Sequence, residues 1–354
     1  MAHNTIKVAV AGVGNLTSAL IQAIEYYREG HEDELMHPRL AGFVISDIEV
    51  VAAFDIDSRK VGHDLSEAVF AAPNNKVQVV NVPKRGVIVK MGPVLDGISE
   101  YTEDVIDVSD EEPVNLAEEL EQSGAELLVL NTPSGSQKAN NAYVKAALEA
   151  GIGLINSTPS QVVRDNKVVR EFSAKGLPIL GDDLQSQAGG TVFHKGVLEV
   201  LHEQGIKVKD TYQLDVSGGL EGLTTLDYDR RTLKRSTKEN SIKRSLPYET
   251  NVAAGTTDYL DFLGSRRIGH YWIKGKGFLG HQVKIDITMQ TDDGSNGAAA
   301  LVDAIRACKV ALARGIAGPV KTVCAHLFKA PPSYLSRTDA IEGFDEFISG
   351  ERQS

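Results

Sequence analysis

The sequence is poor in cysteine and has no long apolar run. Its 354 residues include two cysteines, Cys308 and Cys324, and neither lies in a Cys-x-x-Cys spacing. This excludes a disulfide framework and a zinc ribbon and favours a reducing compartment. No apolar stretch has the length that spans a bilayer, and the first residues do not follow a signal-peptide pattern. We therefore expect a soluble, cytoplasmic protein that makes no membrane contact.

A polybasic tract is also missing. The formal net charge is −11, with acidic and basic residues interspersed, so the electrostatic footprint of nucleic-acid binding is absent. An anionic small-molecule substrate would need a local cluster of basic side chains. The length and a hydrophobic content of 42% are sufficient for about two domains.

Short apolar runs alternate with helical patterns through the first 180 residues. The runs at 6–11, 49–54, 126–130, 153–155 and 177–180 predict buried parallel strands. This alternation is typical of a doubly wound, Rossmann-type α/β domain. Two departures are a long gap before the second run and an insert at about 73–112.

The pattern changes after about residue 183. Apolar and polar residues alternate from Val283 to Gln290, which predicts a strand with one covered face in a second, α+β domain built on an open sheet. Leu301, Ile305 and Cys308 then follow helical spacing, so a long helix returns the chain to the first domain. We expect domains at 1–185, 186–296 and 297–354.

A glycine turn follows the first predicted strand. Gly12 and Gly14 allow the backbone to approach a pyrophosphate, and the next helix, starting near Asn15 and Leu16, offers amide donors. Thr17 occupies the position of the usual third glycine. The alternative is a tight turn without a ligand.

A carboxylate at the end of the second strand favours NAD over NADP. Asp55 follows the apolar run and can bind both ribose hydroxyls. Asp57 is close enough to be the ligand instead, or to cap a helix that begins near Ser58.

Later strands also end in polar residues. Thr132 and Ser134 follow the third run, and Asn156 and Ser157 follow the fourth. Doubly wound sheets bind ligands at these strand ends, which favours cofactor contact over simple helix capping.

A second candidate anion site follows the last of these runs. Asp182 and Asp183 precede a segment of small residues that opens a helix. Such a helix start suits a sugar phosphate, although it could be an ordinary capped helix. The candidate phosphate ligands are Ser186, Gln187, Gly189 and Gly190.

Basic side chains near the second domain are candidates for catalysis. Lys234 and Lys238 are four residues apart and share a face if the segment is helical, although a solvated basic face has the same pattern. Further candidates are Lys274, Lys276, Lys284 and Lys329.

An ordered set of motifs resembles the bacterial and archaeal myo-inositol-1-phosphate synthases. The motifs are GVGN, AFDID, GPVLDG, GDDLQSQ, the lysine pair after a Gly-Gly turn, DDGSN and LFKAPP, and they extend from about residue 6 to 347. The order of the set is more specific than any one motif. The resemblance implies a Rossmann domain with an inserted α+β domain that carries catalytic lysines and forms a homotetramer.

The resemblance also implies a reaction without net redox change. Glucose 6-phosphate is oxidised at C5 by NAD, enolised at C6, closed by an intramolecular aldol step onto C1, and reduced again. It further implies catalytic roles for Lys234, Lys238, Lys329, Asp183 and Asp293, with Asp183 also near the cofactor. A fourth lysine is expected, with Lys274 ahead of Lys276 and Lys284. A divalent metal at the aspartates is left open.

Two departures from the family pattern lie beside the expected substrate pocket. They are the run from Gly218 to Thr224, which lacks the usual asparagine, and Gln185. Changes of this kind can alter which hydroxylated chain binds. The alternatives are therefore a paralogue that cyclises fructose 6-phosphate to a five-membered ring, a simple NAD-dependent dehydrogenase, and an NAD-binding protein without turnover.

Overall fold

The computed structural model describes residues 5–354, and its strands form two sheets. The strands are Ile6–Ala11 (β1), Ile48–Asp55 (β2), Val89–Met91 (β3), Leu127–Leu130 (β4), Gly153–Asn156 (β5), Pro178–Leu180 (β6), Lys207–Ser217 (β7), Asn251–Tyr259 (β8), Arg266–Lys276 (β9), Gln282–Asp292 (β10) and Gly318–Pro319 (β11).

Eleven α-helices accompany these strands within the described residues, and several of them have capping residues at one end. They are Asn15–Arg28 (α1), Leu65–Ala68 (α2), Leu116–Ser123 (α3), Gln137–Ala150 (α4), Asn166–Ala174 (α5), Gly190–Glu203 (α6), Leu220–Thr224 (α7), Tyr228–Lys243 (α8), Asp293–Ala313 (α9), Lys321–Leu327 (α10) and Arg337–Ser349 (α11). Gly124, Gly151 and Gly350 end α3, α4 and α11 in the left-handed conformation that glycine adopts without strain. Asp165 and Asp227 cap the first amides of α5 and α8.

The first sheet is parallel and has seven strands in the order β11-β6-β5-β4-β1-β2-β3. All residues of β4, β5 and β6 are buried, as expected for strands covered on both faces. The strand order reverses at β1, which pairs with β4 on one side and β2 on the other. A ligand crevice is expected at the carboxyl ends of strands at such a reversal. The predicted Rossmann-type α/β fold is therefore confirmed.

Helices cover both faces of this sheet. Leu20 of α1 and Leu301 and Ile305 of α9 belong to the apolar core on one face. Tyr143 of α4 and Phe172 of α5 belong to the core on the other. The helix predicted to return the chain is α9, which packs against α1, β5 and β6.

The second sheet has four strands in the order β10-β9-β7-β8. β9 pairs antiparallel with both β7 and β10, whereas β7 and β8 are parallel. The alternating segment predicted at 283–290 lies in β10. Helices α6 and α8 pack on one face of this sheet, with Leu198, Ile242 and Ile273 in the core between them. The opposite face carries partly exposed side chains, including Tyr212 stacked on Trp272.

Two local expectations need correction. The predicted insert contains a strand, β3, which pairs with β2 and extends the first sheet. The helix expected near Ser58 is a turn in which the side chain of Asp57 binds Arg59. Neither element has the length that gives a clear periodic signal in the sequence.

Candidate active site

One cavity of about 270 Å³ lies beside the carboxyl ends of β1, β4 and β5 and is lined by residues from both sheets. The first sheet contributes Gly12 and Asp55, and the second contributes Asp215 and Arg267. Most of the residues predicted from the sequence to form a site line this cavity.

The glycine turn is shaped by a close backbone approach. Gly12 has φ of +98°, and a Cβ at this position would lie 2.5 Å from the carbonyl oxygen of Asn131. Thr17, at the position of the missing third glycine, donates its hydroxyl to the Gly12 carbonyl at 2.6 Å and accepts from Asn131. Gly14 precedes α1, whose first turn has no acidic residue, so its amides and dipole favour an anion.

Asp55, and not Asp57, lies at the cavity. The Asp55 carboxylate accepts the amide of Val13 at 2.7 Å, which ties it to the glycine turn. Lys60 is buried and lines the cavity, and its ammonium lies 3.7 Å from Asp55. Asp57 is fully buried, and its carboxylate is already paired with Arg59.

Three of the four polar residues predicted after β4 and β5 line the cavity. These are Thr132, Ser134 and Ser157. Asn156 is buried behind them, where its amide donates to the Ser160 carbonyl and to Asp182 at 2.8 Å. Asn156 thus holds a loop below the cavity and does not line it.

Asn15 lines the cavity, but its side chain is engaged by the segment that follows Pro73. It donates to Asn75 at 2.7 Å and accepts from the backbone amides of Asn75 and Lys76. Asn75 also donates to the Gly218 carbonyl at 3.0 Å, and the Lys76 ammonium pairs with Asp292 at 3.1 Å. This segment therefore joins the start of α1 to the second sheet. Leu16 also lines the cavity.

The second predicted anion site is the N-terminus of α6. Gly189 precedes this helix, its first turn has no acidic residue, and Ser186, Gly189 and Gly190 line the cavity. Gln187 is turned away, with its side-chain amide on the Glu34 carbonyl at 2.9 Å. The backbone amide of Gln187 binds the Asn296 carbonyl at 3.0 Å, which fixes the segment that enters α6.

Lys329 and Asp183 form an ion pair at the cavity wall. The Lys329 ammonium donates to Asp183 Oδ1 at 2.6 Å and to the Leu184 carbonyl at 2.8 Å. Asp183 has φ of +61°, and its Oδ2 has no hydrogen-bond partner in the described chain. A non-glycine residue in this conformation is uncommon, and such positions concentrate at functional sites.

Lys238 lies in a buried cluster of charges. Its ammonium pairs with Asp215, which also lies 3.7 Å from Arg267 and accepts two hydrogen bonds from Gln213. Burial lowers the pKa of Lys238 to about 8 despite the opposing effect of Asp215. Burial also disfavours the Asp215 carboxylate, but Lys238 and Arg267 outweigh it and lower the pKa of that group. Arg267 in turn binds Asp293 at 2.6 Å.

Lys234 occupies a second, adjacent pair. Its ammonium binds the Glu221 carboxylate, which also accepts the hydroxyl of Ser134. Burial opposes ionisation of Glu221, yet Lys234 and Ser134 lower its pKa. Lys234 and Lys238 thus project from the same face of α8 into the cavity, as predicted, and each has a carboxylate from a different element.

The structure does not bring Lys274 to the cavity. Its side chain is 39% exposed and lies 3.8 Å from Asp210 at the far part of β9. Lys276 and Lys284 are exposed on β9 and β10. The choice of Lys274 followed the assumption that the fourth cation is a lysine, whereas the cation of β9 that lines the cavity is Arg267.

Comparison with known proteins places the chain in a family. The sequence model of myo-inositol-1-phosphate synthase matches residues 189–294. The inositol-3-phosphate synthase of Mycolicibacterium smegmatis is 36% identical over 98% of each chain. That of Corynebacterium glutamicum is 36% identical over 98% of this chain and 99% of its own. This chain belongs to the myo-inositol-1-phosphate synthase family.

Solved structures share this fold. The crystal structure of Ari2 is 32% identical, with a TM-score of 0.79 over 98% of this chain and 99% of Ari2. A myo-inositol-1-phosphate synthase-related protein from Thermotoga maritima has a TM-score of 0.81 at 22% identity over 98% of both chains, which supports the fold. As a family member, the chain is an inositol-phosphate-synthase-like isomerase.

Sequence reasoning missed four charged residues of this synthase-family cavity: Lys60, Asp215, Glu221 and Arg267. Glu221 stands in the Gly-Gly segment that was noted for its departures, and Lys60 is five residues from Asp55. Asp215 and Arg267 lie on strands, and only the pairing of β7 with β9 brings them together. A charged residue at an inward position of an alternating strand is the signal that could have identified them.

No metal site is evident in residues 5–354, where no group of three or more His, Cys, Asp or Glu side chains could hold an ion. Asp183 and Asp293 are each paired with a cationic side chain. Within the same range, no helix is both long and apolar enough to cross a membrane.

Proposed function

We propose that this synthase-family member cyclises a hexose phosphate, with glucose 6-phosphate as substrate, myo-inositol 1-phosphate as product and NAD as a cofactor used catalytically. One observation carries the proposal. A single cavity contains two helix N-termini whose first turns have no acidic residue, and four lysines line it. Such a cavity suits a dinucleotide pyrophosphate, a sugar phosphate and a reaction that develops negative charge on oxygen. The names of the relatives support the same reaction.

The first sheet fits NAD. Gly12 and the start of α1 suit the pyrophosphate, and Asp55 suits the ribose hydroxyls, because its carboxylate is held at the cavity by Val13. Thr132, Ser134 and Ser157 would line the rest of the cofactor. Bound NAD supplies a hydride acceptor that is regenerated, so the cyclisation has no net redox change.

We assign the substrate phosphate to the start of α6. Ser186, Gly189 and Gly190 line the cavity there, and backbone amides at a helix N-terminus bind phosphate oxygens well. This assignment leaves the sugar chain extending towards the lysines of α8.

Lys238 is the group best suited to remove a proton from carbon. It is buried, lines the cavity, and has a pKa lowered by burial to about 8, so a usable fraction is neutral near physiological pH. Lys234 and Lys329 are assigned to oxygens that become negative during enolisation and ring closure, because each is held in place by a carboxylate. Asp183 and Asp293 position cations in this scheme, and no step is derived through a divalent ion because the described residues offer no ligand cluster.

Fructose 6-phosphate is a second candidate substrate, favoured by the composition of the cavity wall. Leu220 and Gln185, the residues that depart from the family pattern, both line the cavity. The Gln185 amide donates to the His326 carbonyl at 3.0 Å, and its oxygen has no partner among the described residues. An apolar side chain and an unpaired acceptor change which substrate hydroxyls the cavity can hydrogen-bond.

The test is phosphorus and proton NMR of each sugar phosphate incubated with the purified protein and a catalytic amount of NAD. Conversion of glucose 6-phosphate to an inositol phosphate without net NADH is the expected result. Conversion of fructose 6-phosphate alone would show that it, and not glucose 6-phosphate, is the substrate. Stoichiometric NADH without ring closure would indicate a dehydrogenase and overturn the proposal, as would NAD binding with no turnover.

We also propose a cytoplasmic homotetramer, with segment 186–296 as the catalytic and oligomerisation domain between 1–185 and 297–354. The free, buried thiols of Cys308 and Cys324 fit a reducing compartment. The open face of the second sheet carries the Tyr212–Trp272 stack, and the β9–β10 turn exposes Phe278 and Leu279 by 83% and 92%. Adjacent exposed apolar side chains of this kind are typical of protein interfaces.

A further inference from the structure

Asp215 is shared by two cations. Its carboxylate pairs with Lys238 from α8, lies 3.7 Å from Arg267 of β9, and accepts from Gln213 at 3.0 and 3.1 Å. Asp215 is fully buried, and Lys238 is 2% exposed. A buried carboxylate that loses its cation is strongly unfavourable. Whether Lys238 can give up its proton therefore depends on what else balances Asp215.

Arg267 is the group that can provide this balance. A guanidinium stays charged throughout the accessible pH range, whereas a buried lysine titrates readily. Burial disfavours the charge of Arg267, but Asp293 and Asp215 raise its pKa above the usual value. The Asp215 carboxylate therefore keeps a cationic neighbour whether Lys238 is protonated or neutral.

The charged side chains around Asp215 nearly cancel one another. With Lys238 protonated, it and Arg267 balance Asp215 and Asp293. Lys234 and Glu221, which also act on the cluster from α8 and α7, balance one another. His194 of α6 and Tyr271 of β9 also act on Asp215, and both are neutral because burial lowers the pKa of His194 to about 4 and raises the pKa of Tyr271. Deprotonation of Lys238 leaves one net negative charge in the cluster, but without Arg267 it would leave two.

We propose that Arg267 is a positioning residue for catalysis, which balances Asp215 in the state where Lys238 is neutral and so allows Lys238 to act as a base. The proposal rests on the proposed function, since it assigns Lys238 to proton abstraction. In that step the carbon–hydrogen bond of the substrate breaks, its electron pair remains in the enolate, and the proton joins Lys238 Nζ. The Lys238–Asp215 ion pair is thereby restored, and Arg267 stays charged throughout.

The pH profile separates this role from a purely structural one. Arg267→Gln removes a cation beside Lys238, which raises the pKa of Lys238. The rising limb on the acid side of the kcat/KM profile should therefore move up by about one pH unit or more. Activity at pH 7 should fall about tenfold and recover at higher pH. Arg267→Lys restores a cation, although one that titrates, and should therefore shift the limb less than Arg267→Gln does. The matched control is Arg266→Gln, since Arg266 is the exposed neighbour on β9.

A second variant predicts the opposite shift. Asp215→Asn removes the carboxylate that holds the proton on Lys238, so the same limb should move to lower pH. Shifts in opposite directions do not arise from loss of fold. A loss of activity in Arg267→Gln that is equal at every pH, with the limb unmoved, would overturn the proposal.

Direct titration tests the inference without turnover. Protein labelled with ¹³C at the lysine Cε would report the pKa of Lys238 by NMR, with its signal assigned as the one missing in Lys238→Arg. The Lys238 pKa should rise in Arg267→Gln, and an unchanged pKa would overturn the inference. If the wild-type protein converts no hexose phosphate, the proposed function fails, but this titration still decides the role of Arg267.

Discussion

At the scale of single residues, each of the three predicted lysines of the cavity is paired with a carboxylate that comes from a different element. Lys234 pairs with Glu221 of α7, Lys238 with Asp215 of β7, and Lys329 with Asp183. Pairing offsets the cost of burying each ammonium and fixes where its protons point. The sequence predicted the three lysines and Asp183, but not the partners that come from other elements.

Lys238→Ala should abolish turnover while NAD affinity stays nearly intact. A positioned general base contributes about 10² to 10⁴ in rate, and Lys238 lies on α8, outside the dinucleotide half of the cavity. Product formation by NMR and NAD titration by calorimetry would be measured together. Lys243→Ala, an exposed lysine on the same helix, is the control. Near-wild-type turnover in Lys238→Ala would refute its assignment as the base.

Glu221→Gln should lower the free energy of unfolding by about 3 kcal/mol, because the buried ammonium of Lys234 loses its partner. The double variant Glu221→Gln with Lys234→Met should recover most of that loss, since no unpaired charge remains. Urea unfolding of the wild type, both single variants and the double variant gives the coupling energy. Additive effects would show that the pair is not coupled in the folded protein.

At the scale of elements, the sequence predicted what depends on neighbours along the chain. The strands β1, β4, β5 and β6 are short buried apolar runs, and the glycine turn lies directly after β1. β3 has three residues and is defined by pairing with β2, so its own sequence gives little signal. Arg267 reaches the cavity through the register of β9 against β7, which the choice of Lys274 could not take into account.

Gly12→Ala should be far more damaging than Gly14→Ala. A Cβ on Gly12 would meet the Asn131 carbonyl oxygen at 2.5 Å and would need a positive φ, whereas a Cβ on Gly14 meets nothing within 4 Å. We expect Gly12→Ala to cost about 2 kcal/mol or more of folding free energy and to weaken NAD binding. Urea unfolding and calorimetry would be compared for the two variants. Equal losses in both would contradict the steric account of the turn.

At the scale of the whole molecule, two sheets with different cores share one cavity. Six of the seven ordered motifs that carry the family resemblance contribute residues to this cavity, and GPVLDG is the exception. The sequence alone could not predict how the side chains meet across the cavity. Those contacts depend on the distance between the two sheets, which no periodic pattern encodes.

The proposed tetramer gives a prediction at this scale. Replacing Phe278 and Leu279 by serine should leave the fold intact, since both are exposed, but should reduce the mass measured by light scattering. The matched control is Val200→Ser, an exposed apolar residue on α6, which covers the other face of the sheet. A variant with unchanged mass would exclude the β9–β10 turn from the interface.

The two ends of the segment that carries the second sheet lie side by side, and this affects how such proteins can diversify. In the proposed domain division the chain leaves the Rossmann portion near Gln187 and Ala188 and returns near Asn296. The backbone amides of Gln187 and Ala188 donate to Asn296 at 3.0 and 3.1 Å. A segment whose two ends are already joined can be lengthened, trimmed or exchanged without displacing the sheet that it leaves. Recombination could therefore pair one dinucleotide-binding half with different lysine-bearing halves, so that new ring-forming chemistries arise by exchange of a single continuous piece of gene.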